Sequence, residues 1–534
     1  MSETAPEYDY IVVGAGSAGC IVAARLSEVE GSKVLVLEAG RTDDNWLIHI
    51  PFGTARIWND PRFNWSYQSE PEPYVNERSL FHPRGKVVGG SAAINMMAYV
   101  RGNAGDYDRW AQKGLTDWSY ERVLPYFKKS ESHALGANEY HGGDGPLRTQ
   151  PTPSPHPLMD VWLEAGRSLG LGATEDFNGA VQDGLARTHV NTADGRRCHS
   201  ANAFLKPALA RGRVKLETGA LVSRLTLDGL RATGVEYNLG GETRRARAAA
   251  SVILSAGAYN TPQILMRSGI GPAKHLREMG IEVIADRAVG DNLQDHPSAG
   301  MEFEQTRESD FQQNLRIDRL VFNMMRAQFL RSGPAAEPLA FGIGFVKSRP
   351  ELELPNIQLF FRRFSAEAHP WFPLIRPPGP NALGFLFCHL RPEARGSVRL
   401  SSPDPAAAPK ILNNFLSSES DREVMRAAVR IIREIASQPT FDAYRGAELL
   451  PGANVESDDE IDAFMRQTLA TVFHPSCTCR MGTDEASVVD PELRVRGIDN
   501  LRIADASVFP DIVGGNINAC TMMVAERAAD FIRH

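Results

Sequence analysis

The chain has 534 residues, 43% hydrophobic and 23% charged, with a formal net charge of -7. This is the balance of a globular protein with ample apolar material for two or three domains. The acidic balance and the lack of any basic run argue against a nucleic-acid partner held through phosphate contacts.

Residues Met1–Asp9 are polar and acidic and lack the basic and apolar regions of a secretory signal. No stretch reaches the ~18 consecutive apolar residues that span a bilayer. A cytoplasmic protein is expected, and peripheral contact with a membrane is compatible with the same residues. The six cysteines (Cys20, Cys198, Cys388, Cys477, Cys479 and Cys520) are scattered. They form neither a disulfide framework nor a zinc-ligand spacing, so no metal is expected and the cysteines read as small core residues.

Taken in chain order, Tyr10–Val13 is a short apolar run that leads straight into Gly14-Ala15-Gly16-Ser17-Ala18-Gly19. Cys20–Leu26 carries apolar residues at helical spacing, and Val34–Leu37 is a second apolar run that ends in Glu38-Ala39. Continuous apolar runs joined by a helix predict a right-handed β-α-β unit with parallel strands. Strands are also predicted at Arg213–Glu217, Val222–Leu227, Gly234–Tyr237 and Ser251–Ser255.

Between Phe303 and Thr468 the character changes. Asn356–Phe361, Leu383–His389 and Ser397–Leu400 read as strands, and Arg422–Ser437 and Asp458–Leu469 as helices. Pro151–Pro157 and Pro370–Pro380 read as connections. A strand at Leu501–Ala504 and an amphipathic helix at Thr521–Arg533 close the chain. Nucleotide-binding patterns recur near residues 10, 250 and 500, which predicts one such domain built from three separated segments with a second domain inserted between them.

The glycines have distinct mechanical tasks. Gly14 permits the tight turn, Gly16 lets the backbone approach a pyrophosphate, and Gly19 lets the helix pack on the strand. The pyrophosphate then sits at a helix N-terminus, where unpaired N–H groups and the dipole favour negative charge. Glu38, nineteen residues after Gly19, can accept from a ribose hydroxyl and would repel a 2′-phosphate. The loop does not itself choose between FAD and NAD.

Two later segments bear on that choice. Gly85–Asn95, continuing through Tyr99 and Gly102 to Asp108, resembles the first signature of the glucose-methanol-choline (GMC) oxidoreductases, and Gly257–Gly271 resembles the second. Val289–His296 and Asp490–Pro510 are similar to further family segments. The resemblance runs from about Asp9 to the C-terminus, on the choline dehydrogenase and alcohol dehydrogenase side of the family.

It implies an α/β fold: a Rossmann-like FAD-binding domain of discontinuous segments (6–155, 210–297 and 465–534). The remainder (156–209 and 298–464) is an inserted α+β substrate domain with an antiparallel sheet. Ala92 stands where the signature usually carries Gly, Ser or Thr. Ile94 stands where some relatives carry a flavin-linking histidine, so the resemblance implies dissociable FAD. The implied cofactor residues are Gly14, Gly16, Ser17, Ala18, Gly19, Glu38, Ala39, Trp65, Val88, Gly90, Ser91, Asn95, Met96, Met97, Ala98, Val222, Ala256, Gly257, Asp505, Ala506 and Asn518.

Phe473-His474-Pro475 resembles the family's catalytic segment, and Gly515-Asn516-Ile517-Asn518 the second half of its catalytic pair. The resemblance makes His474 the general base for the alcohol proton while hydride passes to flavin N5. Asn516 offers a donor and an acceptor to hold the alcohol oxygen. If the segment is extended, Asn518 lies one pleat repeat further on the same face, in contact with flavin. His296 reads as a structural connector.

Alternation along Asn356–Phe364 puts Asn356, Gln358, Phe360 and Arg362 on one face and Ile357, Leu359, Phe361 and Arg363 on the other. Phe361, Arg362 and Phe473 are the substrate-binding candidates, with Trp371 as further aromatic surface. The expected substrate is a primary, medium-length apolar or aromatic alcohol, and an anionic group on it would be met by Arg362 or Arg363. O2 or a quinone or redox protein is the expected acceptor. A hydroxynitrile-lyase-like flavoprotein and a non-catalytic flavin-binding protein are the alternatives, and oligomeric state is open.

Overall fold

The computed structural model describes residues 5–153 and 155–533. Met1–Thr4 of the polar start, Ser154 of the Pro151–Pro157 connection, and His534 lie outside the described residues. The fold is α/β, with two large sheets.

The first sheet starts as predicted. β1 (Glu7–Val13) runs through α1 (Ser17–Leu26) into β2 (Val34–Glu38), and the two strands pair in parallel. β2 and the inner end of β1, Ile11–Val13, are buried apolar runs because helices or further sheet cover them on both faces, whereas the outer end of β1 carries Glu7 and Asp9. β3 (Val214–Thr218) adds in parallel to β2. β4 (Leu221–Asp228), β5 (Arg231–Leu239) and β6 (Glu242–Leu254) form an antiparallel meander that returns β6 beside β1.

β6 is 13 residues long, whereas the apolar pattern predicts only its last few. Its outer part, Glu242–Ala250, is mostly exposed and carries all its charged side chains, so pairing with β5 and not an apolar run makes it a strand. Leu501–Ile503 then pairs with the inner end of β6. The three chain segments therefore converge on one sheet.

β6 leads into α2 (Gly257–Arg267), which no periodicity predicts because Pro262 interrupts it. Proline leaves the carbonyl four residues back without its helical donor. Here that carbonyl, Ala258 O, accepts from Thr478 Oγ1 at 2.7 Å. The helix defect thereby ties α2 to the segment that carries His474.

The second sheet is antiparallel in its main body. Its order is Arg445–Leu450, β7 (Pro297–Gln305), then Ala382–His389, Ile357–Arg362, Gly342–Val346 and Gly184–Arg187. One face packs on the helices Pro157–Ser168 and Glu419–Ala436 through a core that includes Trp162, Phe361, Phe385 and Val429. The other face looks toward the first sheet. α3 (Ile317–Leu330), which the sequence reading does not predict, lies at the outside of this half. No helix among the described residues is long and apolar enough to cross a membrane.

Candidate functional site

A cavity of about 420 Å³ runs from the end of β1 to the second sheet. All the residues expected to hold the dinucleotide line it except Gly19 and Val88. Those two lie behind it. A Cβ at Gly19 would sit 1.8 Å from Gly14 O, so Gly19 seats the helix under the loop and is not part of the wall. Val88 is buried in the first sheet's core.

At this end the backbone does the work. Gly14 has φ +99°, and a Cβ there would meet Ser255 O at 2.6 Å. Gly16 is the N-cap of α1 and supplies no side chain to the helix start, so the first N–H groups of α1 are left for an anion. Gly90 crosses over the loop so closely that its Cβ would lie 2.6 Å from Gly16 Cα. Glu38 accepts from Ala15 N at 2.9 Å and Gly40 N at 2.8 Å, and burial raises its carboxyl to about 7. Two backbone donors leave acceptor sites on the carboxylate for ribose hydroxyls. A glycine cradle, an uncapped helix start and a buried acceptor suit a dinucleotide.

At the far end side chains from four separate segments meet. Phe473 stands at φ +66°, a left-handed conformation that costs a non-glycine residue energy. Its N–H donates to Thr471 Oγ1 (2.7 Å) and its carbonyl accepts from Arg84 (2.6 Å), which hold the bend. The bend delivers the His474 ring into the cavity. Asp295 fixes the backbone there, accepting from His474 N (2.7 Å), His296 N (2.8 Å) and Thr471 Oγ1 (2.6 Å). Burial pushes its carboxyl up to about 6 against those donors.

The ring contacts have a single consistent direction. His296 Nε2 lies 3.1 Å from Leu390 O, which can only accept, so the proton of neutral His296 is on Nε2. His296 Nδ1 is then an acceptor, and His474 Nδ1, 3.0 Å away, donates to it. That leaves the lone pair of His474 on Nε2, where Asn516 Nδ2 approaches at 3.2 Å. Asn516 Oδ1 in turn accepts from Gln358 Nε2 at 3.1 Å, which orients the amide.

Burial lowers the His474 imidazole well below its ordinary range, with His296 and Arg84 adding to the effect. Burial also takes His296 down to about 3. Both rings are neutral, as the hydrogen-bond directions require.

His296 is therefore no mere connector: it bonds His474 directly. Sequence reasoning missed this because His296 is 178 residues from His474, and the two segments are joined only in the folded chain, by β7 beside Ala470–Thr471 and by Gln294 paired with Ser476. Gln358 stood on the same predicted strand face as Phe360, but nothing in the sequence assigned it to Asn516. Asn518 is not on an extended segment. It opens the helix Asn518–Arg533 and accepts from Ser17 Oγ at 2.7 Å, which places it beside α1 and away from His474.

The roof sorts the substrate candidates. Phe473 lines the cavity, edge-on to Trp58 with ring centroids 4.9 Å apart. Phe361 borders the cavity, but its ring stacks on Trp162 at 5.1 Å in the core behind the sheet, while Phe360 lies on the cavity's side. Arg362 lines the same cavity with its Nε buried and unpartnered; Arg363 is instead paired with Asp310 at 3.0 Å. Trp371 is outside the cavity, with its indole N–H on Gln312 O. Among the described residues the only carboxylates lining the cavity are Glu38 and Asp505. Asp505 is occupied by Gly257 N and Thr261 Oγ1.

Asp43, His49 and His199 also converge, away from this cavity. Lys206 Nζ already holds the Asp43 carboxylate at 2.7 Å, a charge arrangement unfavourable to a cation.

Comparison with known proteins agrees over the whole length. Residues 8–298 and 392–525 match the N- and C-terminal family models described as GMC oxidoreductase. The chain is 42% identical to the mitochondrial choline dehydrogenase of Homo sapiens, covering 100% of this chain and 91% of that protein. It is 43% identical to the oxygen-dependent choline dehydrogenase of Ectopseudomonas mendocina, covering 99% and 94%. Among solved structures, pyridoxine 4-oxidase from Mesorbium loti matches with a TM-score of 0.88 and 31% identity, covering 98% of each chain.

Proposed function

The chain belongs to the GMC oxidoreductase family, and we propose that within it this enzyme oxidises a primary apolar or aromatic alcohol bearing an anionic group to the aldehyde. It is an FAD-dependent oxidoreductase acting on CH–OH donors. FAD, when bound, supplies the acceptor for the carbon-bound hydrogen leaving as hydride.

The chain's own residues manage the hydroxyl. His474 Nε2, held as the lone-pair nitrogen by the bond from Nδ1 to His296, takes the hydroxyl proton. Asn516, oriented by Gln358, donates to the alcohol oxygen beside it. Cys477 and Cys479 are buried with raised thiol pKa values and take no part. The observation that carries the reading is the directed chain Leu390–His296–His474–Asn516–Gln358.

The substrate class follows from charge. A quaternary ammonium group would lie near the Arg362 guanidinium, whose Nε has no hydrogen-bond partner, with no carboxylate lining that end of the cavity, so choline is disfavoured and an anion favoured. Isoleucine at position 94 has no group to bond flavin, which supports dissociable FAD. We assign 6–155, 210–297 and 465–534 to the FAD-binding domain and 156–209 and 298–464 to the substrate domain. The strand Gly184–Arg187 supports this by joining the second sheet. The enzyme is assigned to the cytoplasm, with O2 or a quinone as acceptor.

The test is an anaerobic absorbance scan of the holoenzyme with benzyl alcohol, a carboxylated benzyl alcohol, hexanol and choline. Bleaching of the flavin band, strongest with the carboxylated alcohol, is expected. Recovery in air with peroxide identifies O2 as acceptor, and bleaching that persists until quinone is added identifies a quinone. Bleaching by choline alone would overturn the substrate assignment, and no bleaching with any alcohol would overturn the reaction.

A further inference from the structure

The outer face of α3 is apolar where a surface helix should be polar. Ile317, Val321, Phe322, Met325, Phe329 and Leu330 are each between 44% and 71% exposed. At 100° per residue, the first five fall on one side of the helix, opposite the buried Asn323 and Ala327. The adjoining loop extends the patch. Ile317 N donates to Trp371 O at 2.9 Å, and Phe372, Leu374 and Ile375 follow at 37%, 108% and 80% exposure. Scattered exposed apolar residues are ordinary, but a contiguous set of this size marks an interaction surface.

Its rim is basic. Arg319, Arg326, Arg331 and Arg376 are exposed around the patch, and Arg316 adjoins it. The one acid on the helix, Asp318, falls in the apolar sector but is bonded twice by Arg316 at 2.7 Å, so these two charges offset each other and the net positive charge of the rim is that of Arg319, Arg326, Arg331 and Arg376. This local positive rim stands on a chain whose net charge is -7.

We propose that α3 and the Phe372–Ile375 loop tip dock the enzyme onto an anionic phospholipid bilayer. An amphipathic helix with a bulky apolar face and arginines at its margins lies in the plane of the interface, apolar side chains among acyl chains and guanidinium groups at phosphates. A second copy is a poorer occupant. A two-fold contact would bring the same arginine rim against itself, like charge against like.

The position has a consequence for the active site. The inward side of α3, through Leu320 and Asn323, lines a cavity of about 160 Å³ that shares Leu339 and Phe341 with the larger one. Docking therefore sets the outer end of the substrate cavity near the lipid surface, where a quinone acceptor partitions.

The test reads binding and not turnover, so it stands or falls apart from the alcohol chemistry. The full-length holoenzyme is floated with phosphatidylcholine vesicles, alone or with about one third phosphatidylglycerol, at low and high salt. Co-flotation with the anionic vesicles, weakened by salt, is expected. The double variant Phe322→Asp/Phe329→Asp changes two exposed side chains outside both cavities. It should lose about tenfold or more of the binding, with flavin content and turnover on a soluble dye unchanged. No flotation of the wild type overturns the proposal. So does a wild-type dimer in sedimentation that the double variant disperses, because the patch is then a contact between copies.

Discussion

The two ends of the cavity are built in opposite ways. The end at Gly14–Gly19 is made of backbone: glycines that admit close approach, a helix start without a side-chain cap, and one carboxylate held by two backbone N–H groups. The end at His474 is made of side chains from Asp295-His296, Gln358, Phe473-His474 and Asn516, segments far apart in the chain. A backbone-built site, packed here against Gly90 and Ser255, tolerates almost no added atom. A side-chain site tolerates changes of shape but depends on every partner being delivered.

Substitutions should separate the two ends. The largest effect is expected for Gly19→Val, whose side chain would start 1.8 Å from Gly14 O. The purified variant, if soluble, should carry no flavin band even after reconstitution; full flavin content would show that the loop is not the cradle described.

His474→Ala should retain flavin and lose turnover by about 10²–10⁴-fold, the range for removing a positioned general base. Loss of flavin together with activity would erase the distinction between the two ends.

His296→Phe leaves the His474 Nδ1–H without its acceptor. Turnover should fall by about tenfold, the equivalent of ~1.4 kcal/mol for one unmade hydrogen bond at a buried group. His296→Gln, which can restore an acceptor, should recover part of it. Equal loss in both variants would point to packing, not to the tautomer.

The smallest effect concerns pH. His474 is held below 6.5, so its neutral, proton-accepting form persists above that value and is lost as pH falls through the lowered pKa. The acidic limb of kcat/KM should therefore lie below 6.5. A wild-type limb at or above 6.5 would contradict the burial of the ring.

The same contrast explains what could be read from the letters. The glycine loop with Glu38 at its set distance was legible because backbone geometry is encoded locally: a turn needs glycine at the turn. The parallel β1–β2 pair was legible because burial on both faces forces an apolar run. β6 was only partly legible, since its polar half is a strand by virtue of its neighbour. α2 was hidden by Pro262, whose cost is offset by Thr478 more than 200 residues away.

By itself the sequence determined the α/β fold, the glycine loop and, through resemblance, the family, and it pointed to His474 and Asn516 as the pair proposed to handle the alcohol. Tertiary structure alone decided that His296 orients His474, that Gln358 orients Asn516, and that Asn518 turns to Ser17. It also decided that Arg362 and not Arg363 reaches the cavity, and that Phe361 packs behind the sheet. The physical reason is range. Turn geometry and burial patterns act over a few residues and leave a local trace, whereas a hydrogen-bond partner is set by where two strands happen to end.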